Sequence, residues 1–534
     1  MYIPGPLPTL LLSSLAIAHV ALASPLVPRN ETCRRTKVAI LGAGVAGITA
    51  AQALHNQSVE DFVIVEYNGE IGGRVAHTNF GADKDGKPYV VEIGANWVQG
   101  LVTEGGPENP IWALAQKWNI TNTYSNYSSI QTFNGTGAVD YTDLLDDFED
   151  AYSVLEQDAG YILSENLQDR SVRSGLSLAG WKPKSMEAQA VEWWEWDWEY
   201  AYSPELSSQE FGIVNYNTTF YQFSDANNFV IDQRGFSHFL ISEASTFLSA
   251  SDPRLLFNTT VTNISYTSPD AVTITNADGS CIMADHTIVT FSLGVLQNSP
   301  TLAFEPELPA WKQEAISSFS MGTYTKLFLQ FPLDTEPFWN TSYQFFLYAS
   351  PSTRGYYPVW QSLSSTGFIP DSNILFATVV QDESARVERM SDADVQAELL
   401  TVLRQMYGAA AVPEPTAFHF PRWGTTEWAY GSYSNWPPGV SLAAHENLRA
   451  TVDGRVWFAG EATSAEYFGF LQGAWFEGQS VGAHVAACVK NGTGSAACGA
   501  AAEKAYEVLH GTTPESMYDA ANGWEVTSFQ TNGF

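Results

Sequence analysis

Six residues early in the chain have the types and spacing of a phosphate cradle. Gly42-Ala43-Gly44-Val45-Ala46-Gly47 is a Gly-x-Gly-x-x-Gly run, and Glu66 follows on the next apolar run. Gly42 permits a tight turn, Gly44 lets backbone approach a pyrophosphate, and Gly47 lets a helix pack closely on a strand. A helix beginning there offers free N–H groups and the positive end of its dipole to phosphate oxygens. Glu66 suits ribose hydroxyls and repels a 2′-phosphate. Gly72-Gly73-Arg74 adds a second glycine turn and a guanidinium, a bidentate phosphate partner. That longer cradle points to FAD over NAD. Far downstream, Lys326 interrupts the run Tyr324 to Phe331. Alternation places Tyr324, Lys326, Phe328 and Gln330 on one face, and Thr325, Leu327, Leu329 and Phe331 on the other. A lysine so placed is either buried for a chemical reason or reaches out from an edge.

The elements that must hold these residues are legible around them. Lys37 to Leu41 reads as a strand, an Ala-rich helix runs to about His55, and Phe62-Val63-Ile64-Val65 is a second buried-type strand. Together they form a β-α-β unit. His286 to Phe291 reads as another strand. Ser391 to Gly408 reads as a helix, with Ser391 as N-cap and Asp394 at the capping-box position. Val456-Trp457-Phe458-Ala459 is a third buried-type strand ending in Gly460-Glu461, before a small-residue helix from about Gly473 to Cys488. Nucleotide-type elements thus stand at both ends of the chain. The expected fold is a discontinuous Rossmann-like α/β FAD-binding domain with an interleaved α+β, mixed-sheet substrate domain. The expected cofactor segments are 36–114, 224–310 and 417–490, and the substrate segments 115–223 and 311–416. Residues 491–534 are a weakly patterned tail.

Composition limits what such a protein can do. Of 534 residues, 45% are hydrophobic and 13% aromatic, enough for large cores. The 25 Lys+Arg against 58 Asp+Glu give a net charge of −33, which excludes gripping a nucleic-acid backbone and disfavours anionic membranes. This acidity either keeps the protein soluble or steers a cationic ligand. Residues 1–23 read as an export signal, with an apolar stretch from Leu10 and a small-x-small site at Ala21-Leu22-Ala23. Ten Asn-x-Ser/Thr sequons, at Asn30, Asn56, Asn119, Asn126, Asn134, Asn217, Asn258, Asn263, Asn340 and Asn491, agree with secretion. So do the four cysteines, Cys33, Cys281, Cys488 and Cys498, which allow three disulfide pairings and match no zinc spacing.

Gly42 to Gly47, Glu66, Gly72-Gly73-Arg74, Glu92-Ile93-Gly94-Ala95-Asn96-Trp97 and Gly460-Glu461-Ala462-Thr463-Ser464 resemble the flavin-containing amine oxidases, especially the secreted polyamine oxidases of plants and fungi. Tyr324-Thr325-Lys326, Arg354-Gly355-Tyr356-Tyr357 and Gly431 to Pro437 extend the resemblance in matching order to about Val489. It implies non-covalent FAD, since Glu466 to Phe470 has no cysteine where flavin-linked relatives carry one. It implies that Glu66 holds the adenosine ribose, Arg74 the pyrophosphate, Val261 the adenine through its backbone, and Glu461 the ribityl and phosphate region. Trp423 packs by the flavin. A helix following Gly460-Glu461 is expected to face the flavin with its N-terminus.

The implied reaction takes hydride from a carbon next to an amine nitrogen, passes the electrons to molecular oxygen with release of hydrogen peroxide, and leaves an imine for hydrolysis. Lys326 is implied to hold a water near the flavin and assist its reoxidation. Tyr433 and Phe470 match an aromatic pair that sandwiches the amine, with the hydroxyl on the first ring where plant relatives have it on the second. Tyr324 lines the tunnel, and Glu199 stands near the place of one tunnel acid. The other acid position holds Gln99, a departure that removes a charge. The run Trp193, Trp194, Trp196 and Trp198 either lines an entrance or packs a core or lid. Spermine or spermidine is the expected substrate; the sequence leaves the oligomeric state open, a monomer being compatible with it. The alternatives are an oxidase of a secondary-metabolite amine or amino acid, for which no carboxylate-binding Arg stands out, and a non-enzymatic flavoprotein. A chromatin-directed demethylase is disfavoured by the export signal and by the lack of an inserted helical hairpin.

Overall fold

A computed structural model describes residues 33–492, together with 498, 505–507, 509 and 512. The export signal, the Asn30 sequon and most of the 491–534 tail lie outside the described residues. The early β-α-β unit forms as its sequence dictates. β1 (Arg34–Leu41) leads through the glycine turn into α1 (Val45–Asn56), and β2 (Phe62–Val65) returns parallel to β1. The residues of β2 are buried throughout, as a sheet covered on both faces requires.

β1 also pairs in parallel with Cys281–Val289, which makes two kinds of contact along its other edge. Its first half pairs antiparallel with Val272–Asn276, and its last residues pair parallel with Val456–Phe458. Leu255–Leu256, Val261–Ser265 and Ala303–Glu305 complete an eight-stranded mixed sheet. The helix Leu471–Asn491 packs across α1 at backbone contact. A Cβ on Gly478 would fall 2.4 Å from Ala46 O, and one on Gly482 would fall 2.5 Å from Ala50 O. Small residues on both helices are therefore a packing requirement. The Cys33–Cys281 disulfide joins the starts of two adjacent strands, and Cys488–Cys498 ties the end of the last helix.

A second, seven-stranded sheet runs in the order Ala417–His419, Tyr324–Gln330, Ile374–Val380, Val359–Ser362, Phe345–Ala349, Ile130–Asn134, Gly137–Ala138. Lys326 therefore lies on an interior strand, flanked on both sides, and is 2% exposed. Of the two readings of this lysine, burial is the one observed. The Asp392–Tyr407 helix covers this sheet's apolar cluster, with Ser391 capping it by accepting from Asp394 N. A third, three-stranded sheet, Trp97–Gln99, Asn227–Val230 and Asn122–Tyr124, carries Gln99. No described helix is long and apolar enough to cross a membrane.

The Trp-rich run is a π-helical turn, Trp193–Asp197, continued by the short helix Trp198–Tyr200. Trp193, Trp194 and Trp196 are core residues, and Trp196 stacks on Tyr200 at 4.1 Å. Of the four, only Trp198 reaches the main cavity, and all four are buried, so the run packs a core. Arg354 fastens this turn from outside. Its guanidinium meets both carboxylate oxygens of Asp197 at 2.7 Å and Glu192 at 3.2 Å.

Candidate active site

A cavity of about 320 Å³ runs between the two sheets and is lined by the glycine turns at one side and Lys326 at the other. Thirteen of the fourteen residues singled out from the sequence lie on its walls. Gly42, Gly44, Glu66, Arg74, Val261, Trp423 and Glu461 line it, as do Lys326, Tyr324, Tyr433, Phe470, Glu199 and Gln99. Gly47 does not. It sits behind the turn, where a Cβ would fall 2.0 Å from Gly42 O.

The cradle is built of bare backbone and one anchored cation. Gly44 and Gly72 form a parallel bridge, and a Cβ on Gly73 would lie 3.3 Å from Gly44 Cα. A Cβ on Gly460 would meet nothing within 4 Å and would project into free space. Arg74 Nη1 donates to Ser432 O at 2.9 Å and to Glu461 Oε1 at 2.8 Å. Its Nε and Nη2 have no acceptor among the described residues, which leaves two donors for a phosphate. Glu66 is buried and accepts from Ala43 N at 2.7 Å and Asn68 N at 2.8 Å. Burial pushes its carboxyl up, and these backbone donors oppose the shift. A dinucleotide with its pyrophosphate beside Gly44 and Arg74 and its ribose by Glu66 fits these groups.

Glu461 ties this cradle to the opposite end. Its second oxygen accepts from Ser434 Oγ at 2.6 Å and from Gly469 N at 2.8 Å. Ser434 follows Tyr433 and Gly469 precedes Phe470, so one carboxylate positions Arg74 and both aromatic rings. The helix after Gly460-Glu461 is only the 3-10 turn Glu461–Thr463. The small-residue helix expected from about Gly473 to Cys488 is observed as Leu471–Asn491, with Phe470 at its N-cap, after Ser464–Gly469.

Lys326 defines the reactive end. Its Nζ donates to Gly94 O at 2.8 Å and Asn96 Oδ1 at 3.0 Å, and lies 5.5 Å from the centre of the Trp97 ring. A neutral amine has two N–H groups and one lone pair. Both N–H groups are engaged, so the lone pair is free to accept a proton or a water's hydrogen bond. Burial holds Lys326 below the usual lysine range and pushes the nearby Glu92 carboxyl up, so both shifts favour an uncharged pair. Glu92 was visible in the sequence only as part of a motif. Its Oε1 accepts from Phe236 N at 2.7 Å.

Tyr433 OH donates to the main-chain oxygen of Glu199 at 2.7 Å, and Gln99 Nε2 donates to Glu199 Oε1 at 2.7 Å. Trp423 Nε1 donates to Ile93 O at 3.2 Å, next to the acceptors of Lys326. Sequence reasoning missed Thr259, Thr260, Ser299 to Leu302, and Glu427 on the cradle side; none carries a spacing signal.

A two-turn glycine cradle, an interior lysine and an aromatic-walled end define a dinucleotide-dependent oxidoreductase. The chain belongs to the flavin containing amine oxidoreductase family, whose model matches residues 45–486. It is 36% identical over 488 residues to polyamine oxidase 1 of Zea mays, covering 88% of this chain and 92% of that one. It is 37% identical over 461 residues to polyamine oxidase 7 of Oryza sativa subsp. japonica, covering 83% and 93%. Wild-type putrescine oxidase bound to putrescine has the same fold, with a TM-score of 0.64 at 17% identity over 85% of this chain and 99% of that one. The cofactor is FAD, and the protein is an amine-oxidising oxidoreductase. Among the described residues, neither Cys nor His lines the cavity, and no described cysteine is free. The site therefore offers no thiolate or imidazole for a covalent flavin bond.

Proposed function

We propose that the protein oxidises a secondary amine of spermine or spermidine, giving an imine that water hydrolyses to an aldehyde and an amine, with hydrogen peroxide as the second product. The single observation that carries this reading is the charge of the reactive end. Among the described residues, Arg74 and Lys326 are the only cations lining the cavity; Arg74 is held by Glu461, and Lys326 is pushed toward neutrality. A substrate carboxylate has no partner there, whereas an ammonium has Glu199. This speaks against the amino-acid alternative.

FAD supplies the two-electron acceptor and returns the electrons to oxygen. The chain's own residues do the rest. Lys326, with its lone pair free, accepts a hydrogen bond from water and keeps the site from gaining a fixed positive charge. The Tyr433 and Phe470 rings offer apolar and π surface to the neutral reacting amine and its flanking methylenes. Glu199 takes a remote ammonium. Holoenzyme given spermidine is expected to release peroxide, and product analysis reads the cleaved bond: diaminopropane for one side, putrescine for the other. FAD-loaded protein that yields no peroxide from spermine, spermidine or their N-acetyl forms overturns the reading.

We further propose that the protein is exported and glycosylated, a reading supported by the apolar leader and by two disulfides. Asn56, Asn119, Asn258, Asn340 and Asn491 are exposed, but Asn217 is 3% exposed within the helix Gln209–Phe220. Glycosidase release in heavy-oxygen water, read by peptide mass, is expected to label exposed sequons and leave Asn217 unlabelled. A labelled Asn217, or no label anywhere in secreted material, contradicts this.

A further inference from the structure

We propose that Gln99 is a positioning residue that holds Glu199 ionised, with one carboxylate oxygen turned to the cavity, so that the site balances a single ammonium. The proposal rests on the amine-oxidising reading above and adds what the site counts. Among the described residues, four acids line the cavity. Glu66 is held by backbone N–H groups, Glu461 by Arg74 and Ser434, and Glu427 receives Tyr67 OH at 3.0 Å. Glu199 also stands by the aromatic end, and unlike Glu461 it has no cationic partner among the described residues. Gln99 occupies its Oε1, and Oε2 has no protein donor among the described residues. Gln99 is itself fixed: its main-chain oxygen accepts from Asn109 Nδ2 at 2.9 Å, and its strand pairs with Asn227–Val230. Tyr433 OH fixes Glu199 from the main-chain side. Ring, acid and amide thus form one rigid unit.

The sign of the pH effect follows from the surroundings. Burial pushes the Glu199 carboxyl up to about 7, and the Gln99 amide pulls it down by favouring the anion. Its charge is therefore present above about pH 7 and lost below. The phenols near it, Tyr127, Tyr200, Tyr216, Tyr324 and Tyr433, are all pushed above their ordinary range by burial and stay neutral. Glu195, one turn earlier on the same helical segment, is pushed up to about 8, and Lys326 titrates on the cavity's other wall. Gln99→Met takes away the one donor and moves the Glu199 limb upward without touching either of these.

The test uses flavin-loaded enzyme and reads dissociation constants from flavin absorbance, with octylamine (one ammonium), 1,8-diaminooctane (two) and octanol (none) as probes. In the wild type, octylamine binding is expected to weaken as pH falls through the Glu199 limb, octanol binding to stay flat, and the diamine to gain less than about threefold over octylamine. Glu199→Gln should abolish that limb. Gln99→Met should weaken octylamine about tenfold near neutrality, converge with wild type at high pH, and leave octanol unchanged. Gln99→Glu, close in size, supplies the second charge at high pH and should raise the diamine's advantage to about tenfold, which keeps the test open should Gln99→Met fail to fold. An octylamine profile unmoved by Gln99→Met, an equal loss for octanol, or a large diamine advantage in the wild type overturns the proposal. Because these are binding constants, they stand even if no polyamine is turned over, and that separate failure would count against the catalytic reading alone.

Discussion

Lys326→Met leaves FAD bound and slows flavin turnover about a hundredfold or more, the range expected when a positioned proton-handling group is removed. Cofactor retention follows from the geometry, since the groups offered to the dinucleotide are Gly44, Glu66 and Arg74, and Lys326 touches none of them. Methionine fills the volume but removes two donors. Gly94 O and Asn96 Oδ1 then lose their partner, a loss of about 1–3 kcal/mol in stability for buried acceptors left unpaired. It also removes the lone pair, the only basic nitrogen at the aromatic end among the described residues. Rapid mixing with amine under argon, then with oxygen, separates the two half-reactions by absorbance. Unchanged rates in both would show that the buried lysine serves packing alone.

Arg354→Met is expected to destabilise the fold by about 3–5 kcal/mol and to weaken amine binding together. Asp197 and Glu192 are 3% and 2% exposed, and each loses a guanidinium partner. Glu192 keeps Arg173 and the Trp181 indole, so the uncompensated charge falls on Asp197. Asp197 ends the π turn, and Glu199 lies two residues beyond it. A loosened turn therefore moves the carboxylate that Gln99 and Tyr433 hold. Thermal unfolding and the octylamine dissociation constant check the two halves. A lowered melting temperature with unchanged amine binding would confine Arg354 to stability. Restoration of both by Arg354→Lys would show that charge alone suffices there, contrary to the bidentate contact.

The parts of this molecule written locally in the sequence are those where spacing and periodicity act over a few residues. The turn at Gly42, the β-α-β unit and the Ser391 cap fall where their patterns place them. Alternation put Lys326 on a strand but left its surroundings open, because strand neighbours come from distant segments. Its acceptors lie 232 and 230 residues away in sequence. The Gln99–Glu199 bond spans 100 residues, and the Arg354–Asp197 pair spans 157. No periodicity reports such contacts, and Gln99 drew notice only as an amide where relatives have an acid. The π turn was hidden for another reason. Its Trp-rich composition suits a core as well as an entrance, and only the packing of Trp196 on Tyr200 decides between them.

The mixed sheet takes strands from both ends of the described chain, and that arrangement sets an order of events during synthesis. Arg74 and Glu461, which meet at 2.8 Å, are 387 residues apart. At ribosomal speeds of about 5–20 residues per second, one half of the cradle waits on the order of 20 s or longer for the other. Through that interval α1 has no Leu471–Asn491 helix to cover Ala46 and Ala50, and Cys281–Val289, once made, lacks its Val456–Phe458 neighbour. The nascent protein therefore presents apolar surface to chaperones for most of its translation. Flavin capture becomes one of the last steps of maturation, and it coincides with the closing of the sheet.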